Sequence, residues 1–173
     1  MAVDTKKCVG CSDCVIACQT ENNVPHGYAR EWVVELVEGT YPELALELRS
    51  ERCNHCDNAP CVRCCPTGAS YISDGGIVLV EPDKCIGCGA CITSCPYDAR
   101  YSHPEGYVDK CTFCEHRVKN GEDPACVAVC PTKCLYFGDL DDPLSDISSL
   151  LRSRKYKTLI PEAGTAPQIF FLT

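Results

Sequence analysis

Cysteine spacing constrains this chain more than any other feature. Cys8, Cys11, Cys14 and Cys18 form a first tetrad, and Cys53, Cys56, Cys61 and Cys65 a second. Cys85, Cys88, Cys91 and Cys95 form a third, and Cys111, Cys114, Cys126 and Cys130 a fourth. The first and third read C-x2-C-x2-C-x3-C. The second widens the middle gap to four residues and the fourth to eleven. Every tetrad ends in C-x3-C, and three continue into Pro66, Pro96 or Pro131, whereas Gln19 takes that place in the first. A repeat of this kind limits the architecture before any single element is considered.

The chemistry follows from the spacing. Eighteen cysteines in 173 residues leave two broad readings, a disulfide scaffold or a metal protein. Residues 1–7 leave no room for a charged segment, an apolar segment and a cleavage site, so no signal peptide is expected and metal is favoured over nine disulfides. Zinc needs two separated C-x2-C knuckles around one ion, and three thiols within seven residues overfill such a knuckle. The run C-x2-C-x2-C-x3-C-P is instead that of bacterial ferredoxins, in which three cysteines hold one cluster and the fourth serves its neighbour. Sixteen thiolates match four [4Fe-4S] clusters with none short.

The sharing rule then assigns them. The second and third tetrads are adjacent and alike, so they pair, and the first pairs with the fourth. Cluster 1 is expected on Cys8, Cys11, Cys14 and Cys130, and cluster 2 on Cys18, Cys111, Cys114 and Cys126. Cluster 3 is expected on Cys53, Cys56, Cys61 and Cys95, and cluster 4 on Cys65, Cys85, Cys88 and Cys91. Cys64 and Cys134 are left over and are read as buried small apolar residues; Cys65 is preferred to Cys64 because it lies four after Cys61 and directly before proline.

The remaining composition narrows the function. The formal charge of −8 would fall to about −16 with four thiolate-held cubanes, which argues against a nucleic-acid partner. The longest apolar runs, such as Ile77–Val80, are too short to span a bilayer. No phosphate loop, nucleophile elbow or H-E-x-x-H motif is present, so no active site of its own is expected. His26, His55, His103 and His116 form no i, i+4 pair and replace no cysteine, and all four are read as structural or surface residues. The residue before each tetrad is basic (Lys7, Arg52, Lys84, Lys110), which would offset a cluster's charge or only decorate a turn.

The predicted fold class is α+β: two ferredoxin-like lobes carrying the four tetrads, with a β-hairpin insertion and a C-terminal extension. Residues 1–30 and 105–140 make the first lobe, 50–104 the second, 31–49 the hairpin and 141–173 a C-terminal docking extension. Without a proline after Cys18, a helix starting near Cys14 is expected to continue toward Glu21. Leu44, Leu46 and Leu48 alternate with polar or small residues as in a half-buried strand. An amphipathic helix is expected over Pro143–Tyr156, with Leu144, Ile147, Leu150 and Leu151 on one face. The apolar end, Gln168–Leu172, is expected to dock on the chain itself.

The order of the four tetrads, with the long gap in the last, resembles the iron–sulfur subunits of the dimethyl sulfoxide reductase (molybdopterin) superfamily. Cys95-Pro96-Tyr97-Asp98-Ala99-Arg100-Tyr101, Gly106–Cys114 and the stretch from Cys130-Pro131-Thr132 to Leu140 look especially like the polysulfide and thiosulfate reductase branch. The resemblance covers nearly the whole chain. It implies an electron-transfer subunit placed between a molybdenum or tungsten catalytic subunit and a quinone-reactive integral membrane subunit. It also implies that cluster 1 faces the catalytic subunit and cluster 4 the membrane subunit. Such a protein would be peripheral on the cell membrane, periplasmic by co-export with a signal-bearing partner or else cytoplasmic. The competing reading is a soluble polyferredoxin serving an aldehyde oxidoreductase, a formate dehydrogenase or a hydrogenase.

Overall fold

The computed structural model describes all 173 residues, Met1–Thr173. In chain order the elements are β1 (Ala2–Asp4), α1 (Asp13–Glu21), β2 (Glu31–Thr40), β3 (Glu43–Arg52), α2 (Pro60–Arg63), β4 (Ser70–Ile72), β5 (Val78–Val80) and α3 (Ala90–Thr93). They continue as β6 (Tyr101–Ser102), β7 (Val108–Asp109), α4 (Glu115–Val118), α5 (Ala125–Val129), β8 (Leu135–Tyr136), α6 (Asp146–Ser153), β9 (Tyr156–Lys157) and β10 (Phe170–Leu172). The class is mixed α+β.

The tetrads set the helix lengths. The third cysteine of each tetrad falls in the first turn of α1, α2, α3 or α5. Proline disfavours helical backbone at the residue before it. Cys65, Cys95 and Cys130 precede proline, and α2, α3 and α5 run only four, four and five residues. Gln19 removes that stop, so α1 runs nine residues, as expected, and ends where Asn22 caps it.

Eight of the 21 residues in the main buried cluster are cysteines, packed with Val78, Val108, Phe113, Ile169 and Phe171. The apolar interior is therefore built around the thiols rather than beside them.

The chain ends meet. A four-stranded sheet has the order β8-β1-β10-β9, with β1 parallel to β10 and Ala2 opposite Phe170. Ala2, Val3, Phe171 and Leu172 are fully buried there. Residues 1–7, which give no strand signal in the sequence, thus supply an inner strand, and the apolar C-terminus docks on the chain itself.

Two expectations change. Helix α6 starts at Asp146 because Ser145 caps it, its Oγ accepting the Ser148 N–H at 3.2 Å. Leu144 falls before that cap and is exposed rather than on the buried face, which Ile147 occupies. The β2–β3 hairpin is longer than predicted, with ten paired positions from Glu31↔Arg52 to Thr40↔Glu43. Only its base is buried, so Leu44 and Leu46 alternate as strand residues but stand in the open.

Candidate metal centres

Each tetrad opens with C-x2-C, and the residue before its second cysteine has left-handed backbone in all four loops. The φ angles are 68° at Gly10, 42° at His55, 65° at Gly87 and 53° at Phe113. Ser12 and Gly89 repeat the conformation two residues later in the first and third loops. Left-handed residues beside right-handed ones turn successive N–H groups into one concavity, a nest suited to an anion. Glycine takes this conformation freely, whereas His55 and Phe113 need support. They support each other, stacking with ring centroids 3.6 Å apart.

Several sequence-distant cysteines are brought near one another. Cys8, Cys11, Cys14 and Cys130 line one concavity, with Cys134 at its edge. Cys18 faces Cys111 and Cys114, and Cys126 faces Cys111 and Cys18. Cys56 faces Cys53, Cys61 and Cys95. Cys91 faces Cys85. Cys65 lies beside β4, its Sγ accepting the Ser70 N–H at 3.3 Å. Cys88 is exposed at the surface in the same loop as Cys85.

Polar contacts surround these sulfurs. The N–H of Val108 points at Cys85 Sγ (3.4 Å), that of Phe113 at Cys111 Sγ (3.4 Å) and that of Cys134 at Cys130 Sγ (3.3 Å). Asn22 Nδ2 stands 3.6 Å from both Cys18 Sγ and Cys114 Sγ. Its Oδ1 accepts from Arg30 Nη1 at 3.0 Å, and Arg30 grips Asp109 through two 2.8 Å bonds.

Burial makes the free thiols hard to ionise. It pushes Cys14 and Cys111 up to about 12 and Cys56 to about 11, and Cys18 and Cys126 also rise. Burial is the largest influence on Cys130 and Cys65 and opposes their ionisation too, but several hydrogen bonds together, led by the amides of Cys134 and Ser70, outweigh it, so both lie below the ordinary thiol value. Filling these sites with metal must therefore expel protons from the interior.

The donor set fits an anionic, sulfur-rich group. Buried polar atoms are almost always paired. Arg52 Nε, Asn54 Nδ2 and Oδ1, His55 Nε2, Arg100 Nε and Arg100 Nη1 are buried without a partner. All but one of these atoms are donors, and the residues adjoin Cys53 or Cys56 in the chain or contact Cys61. With the amide nests, they would supply N–H groups to the sulfur of an iron–sulfur cluster.

Family comparison agrees with that chemistry. A family model described as a 4Fe-4S dicluster domain matches residues 44–140, and a second of the same description matches 7–70. The protein belongs to the 4Fe-4S dicluster family of reductase iron–sulfur subunits. The arsenate respiratory reductase iron–sulfur subunit of Shewanella sp. is 36% identical, over 99% of this chain and 94% of its own length. A chain of the polysulfide reductase of Wolinella succinogenes is 45% identical over 99% and 92%. A subunit of the tetrathionate reductase of Salmonella typhimurium is 42% identical over 99% and 71%. Electron transfer is the role of this family member, and the relatives favour a reductase subunit over a free-standing polyferredoxin.

The other residues singled out in the sequence divide. Arg52 and Lys110 are buried, whereas Lys7 reaches the Tyr136 hydroxyl at 2.7 Å on the surface and Lys84 pairs with exposed Glu81 at 2.7 Å. Cys134 is buried but not apolar in its setting, with its Sγ 3.5 Å from Cys130 Sγ. Cys64 is only half-buried, 3.2 Å from Ser94 Oγ, and it faces Cys91. His55 is buried, His103 stacks on Tyr107, His116 bonds Glu21 at 2.8 Å, and His26 is exposed. Arg100 and Asn22 have no signal in the spacing; only the folded chain brings them to the sulfurs.

Proposed function

We propose that the chain holds four [4Fe-4S] clusters on the ligand sets assigned above, two in each of two lobes (1–30 with 105–140, and 50–104). In this reading it relays electrons between a quinone-reactive integral membrane subunit and a molybdopterin (Mo or W) catalytic subunit of a polysulfide- or thiosulfate-type reductase. The clusters supply one-electron acceptance and release. The protein holds them in register, excludes water from the inner ones and leaves the outer ones near the surface.

One observation carries the reading, a gradient of burial along the four groups. Cys18, Cys111, Cys114 and Cys126 are all buried, and so are Cys53, Cys56 and Cys61, with Cys95 half-buried. In the terminal groups Cys11 and Cys88 are exposed, Cys8, Cys130, Cys65 and Cys85 are half-buried, and only Cys14 and Cys91 are buried. Apolar side chains stand uncovered beside both ends: Val9 and Ile16 at the first, Ile86 between Cys85 and Cys88 at the last. Two interior groups between two accessible ones suit a conductor with an entry and an exit, each meeting a partner. Location at the membrane follows from the partners, on whichever side they place it; no helix of the chain is long and apolar enough to cross a bilayer.

Anaerobic purification of the native complex tests this. About sixteen irons per chain and co-purification of a large catalytic subunit with a multi-span membrane protein are expected. Fewer than about eight irons would refute the cluster reading. A full iron complement with only soluble partners would replace the membrane reductase with a polyferredoxin role.

A further inference from the structure

Three cations are buried among the cysteine groups: Arg52, Arg100 and Lys110. Their surroundings differ. The Arg52 guanidinium is paired with the buried Glu31 carboxylate, and both face the groups drawn from the first and fourth tetrads. That pair is close to neutral as seen from a distance. Arg100 and Lys110 enter no ion pair with any carboxylate. Arg100 Nη2 bonds Ser70 Oγ and Cys61 Sγ, each at 2.9 Å, and its Nε and Nη1 have no partner. The Lys110 ammonium bonds two carbonyls, that of Val78 and that of Cys111 (2.6 Å).

A buried cation without an anion is strongly unfavourable. Cysteine sulfurs are the groups that favour the charged form of both; Glu51 and Asp98 line the same cavity as Arg100 but pair with neither cation. Arg100 faces Cys61, Cys53 and Cys91, and Lys110 faces Cys53, Cys111 and Cys61. The sets overlap on Cys53 and Cys61. Cys53 and Cys61 thus lie between two uncompensated positive charges, whereas Cys14, Cys18 and Cys126 see a carboxylate as well.

We infer that Arg100 and Lys110 are the counter-charges of the cluster held by Cys53, Cys56, Cys61 and Cys95, and that they make it the most readily reduced of the four. The inference rests on the four-cluster reading. Adding one electron to a thiolate-held cluster makes it more negative by one charge, and no bond changes. A fixed cation inside low-dielectric protein stabilises that added charge more than one in water does. Arg100 keeps its charge at every accessible pH, so its influence is permanent. An electron entering from either end would then rest on this inner cluster, away from solvent, until its partner is ready.

A redox titration of the anaerobically purified complex, followed by electron paramagnetic resonance, tests the idea. Iron content is measured first, and fewer than about sixteen per chain overturns the four-cluster reading and the ranking with it. Cys56→Ser marks the relevant signal by shifting or removing it. In the wild type that signal is expected to appear first as the potential is lowered; another signal appearing first rejects the inference without any cation variant. Arg100→Gln and Lys110→Met should each lower its midpoint by at least a tenfold change in the reduction equilibrium, about 59 mV for one electron. Arg100→Lys should retain most of the wild-type value. Full iron loading with an unmoved midpoint in both charge-removing variants, or an equal shift of all four signals, overturns it.

Discussion

At the scale of single residues, a sulfur's role is set by its polar neighbours. Cys130 and Cys134 lie within van der Waals reach, yet one is held low by backbone donation and the other is raised by burial and by Cys130 itself. Cys130 is thus the easier thiolate, in keeping with its position before Pro131. Cys134→Ser and Cys64→Ser are both expected to keep the full iron content on colorimetric analysis. A loss of about four irons in either variant would move that cysteine into a ligand set. Among the basic residues preceding the tetrads, Arg52 and Lys110 face the interior because the buried end of β3 and the buried strand β7 lead into their tetrads. Lys84 follows an exposed turn and Lys7 a surface bend, so the same residue type at the same register ends in water.

At the scale of elements, the left-handed positions are where a small change does most damage. A Cβ on Gly87 would lie 2.5 Å from the Gly106 carbonyl oxygen, in the β6–β7 turn, besides meeting the strain of a positive φ. Gly87→Ala is expected to cost more than about 1 kcal/mol and to release the Cys85–Cys91 loop. Iron analysis should then show loss from that group before the others. The sheet that joins the chain ends has its own lock. Burial would raise the Asp4 carboxyl, but Arg154 donates to it and the Lys6 amide adds a bond, so Asp4 ionises below its ordinary value. A depressed carboxyl stabilises the fold above its unfolded pKa, and that contribution is lost as pH falls through the folded value. Arg154→Met should therefore lower the melting temperature by about 3 °C at neutral pH. The difference from wild type should shrink below about pH 4, and a difference independent of pH would exclude this pair as its source.

At the scale of the whole molecule, the proposed sharing of each tetrad's fourth cysteine would tie distant parts of the chain into one object. Cys95 faces the second tetrad, not the loop that precedes it. Cys95→Ala should first impair the group of Cys53, Cys56 and Cys61, read as loss or broadening of one resonance signal. Loss confined to the group of Cys85, Cys88 and Cys91 would reject shared ligation. Under the four-cluster proposal, the exposed Cys11 and Cys88 would mark the two ends of the relay. The parallel pairing of β1 with β10 closes it, so neither chain terminus is a loose tail.

Thiol spacing and proline act over a few residues, so the four tetrads, the metal chemistry and the helix that outruns its siblings are legible in the order of amino acids alone. The extended character of the hairpin is legible too, since side-chain alternation is local. Folding had to settle which cations sit among the sulfurs, that residues 2–4 form an inner strand, and that Leu44 and Leu46 stay in the open. Each of these depends on what a segment meets from far along the chain. Ala2-Val3-Asp4 is too short to show a period, and nothing in the spacing marks Arg100 as the neighbour of Cys61 and Ser70.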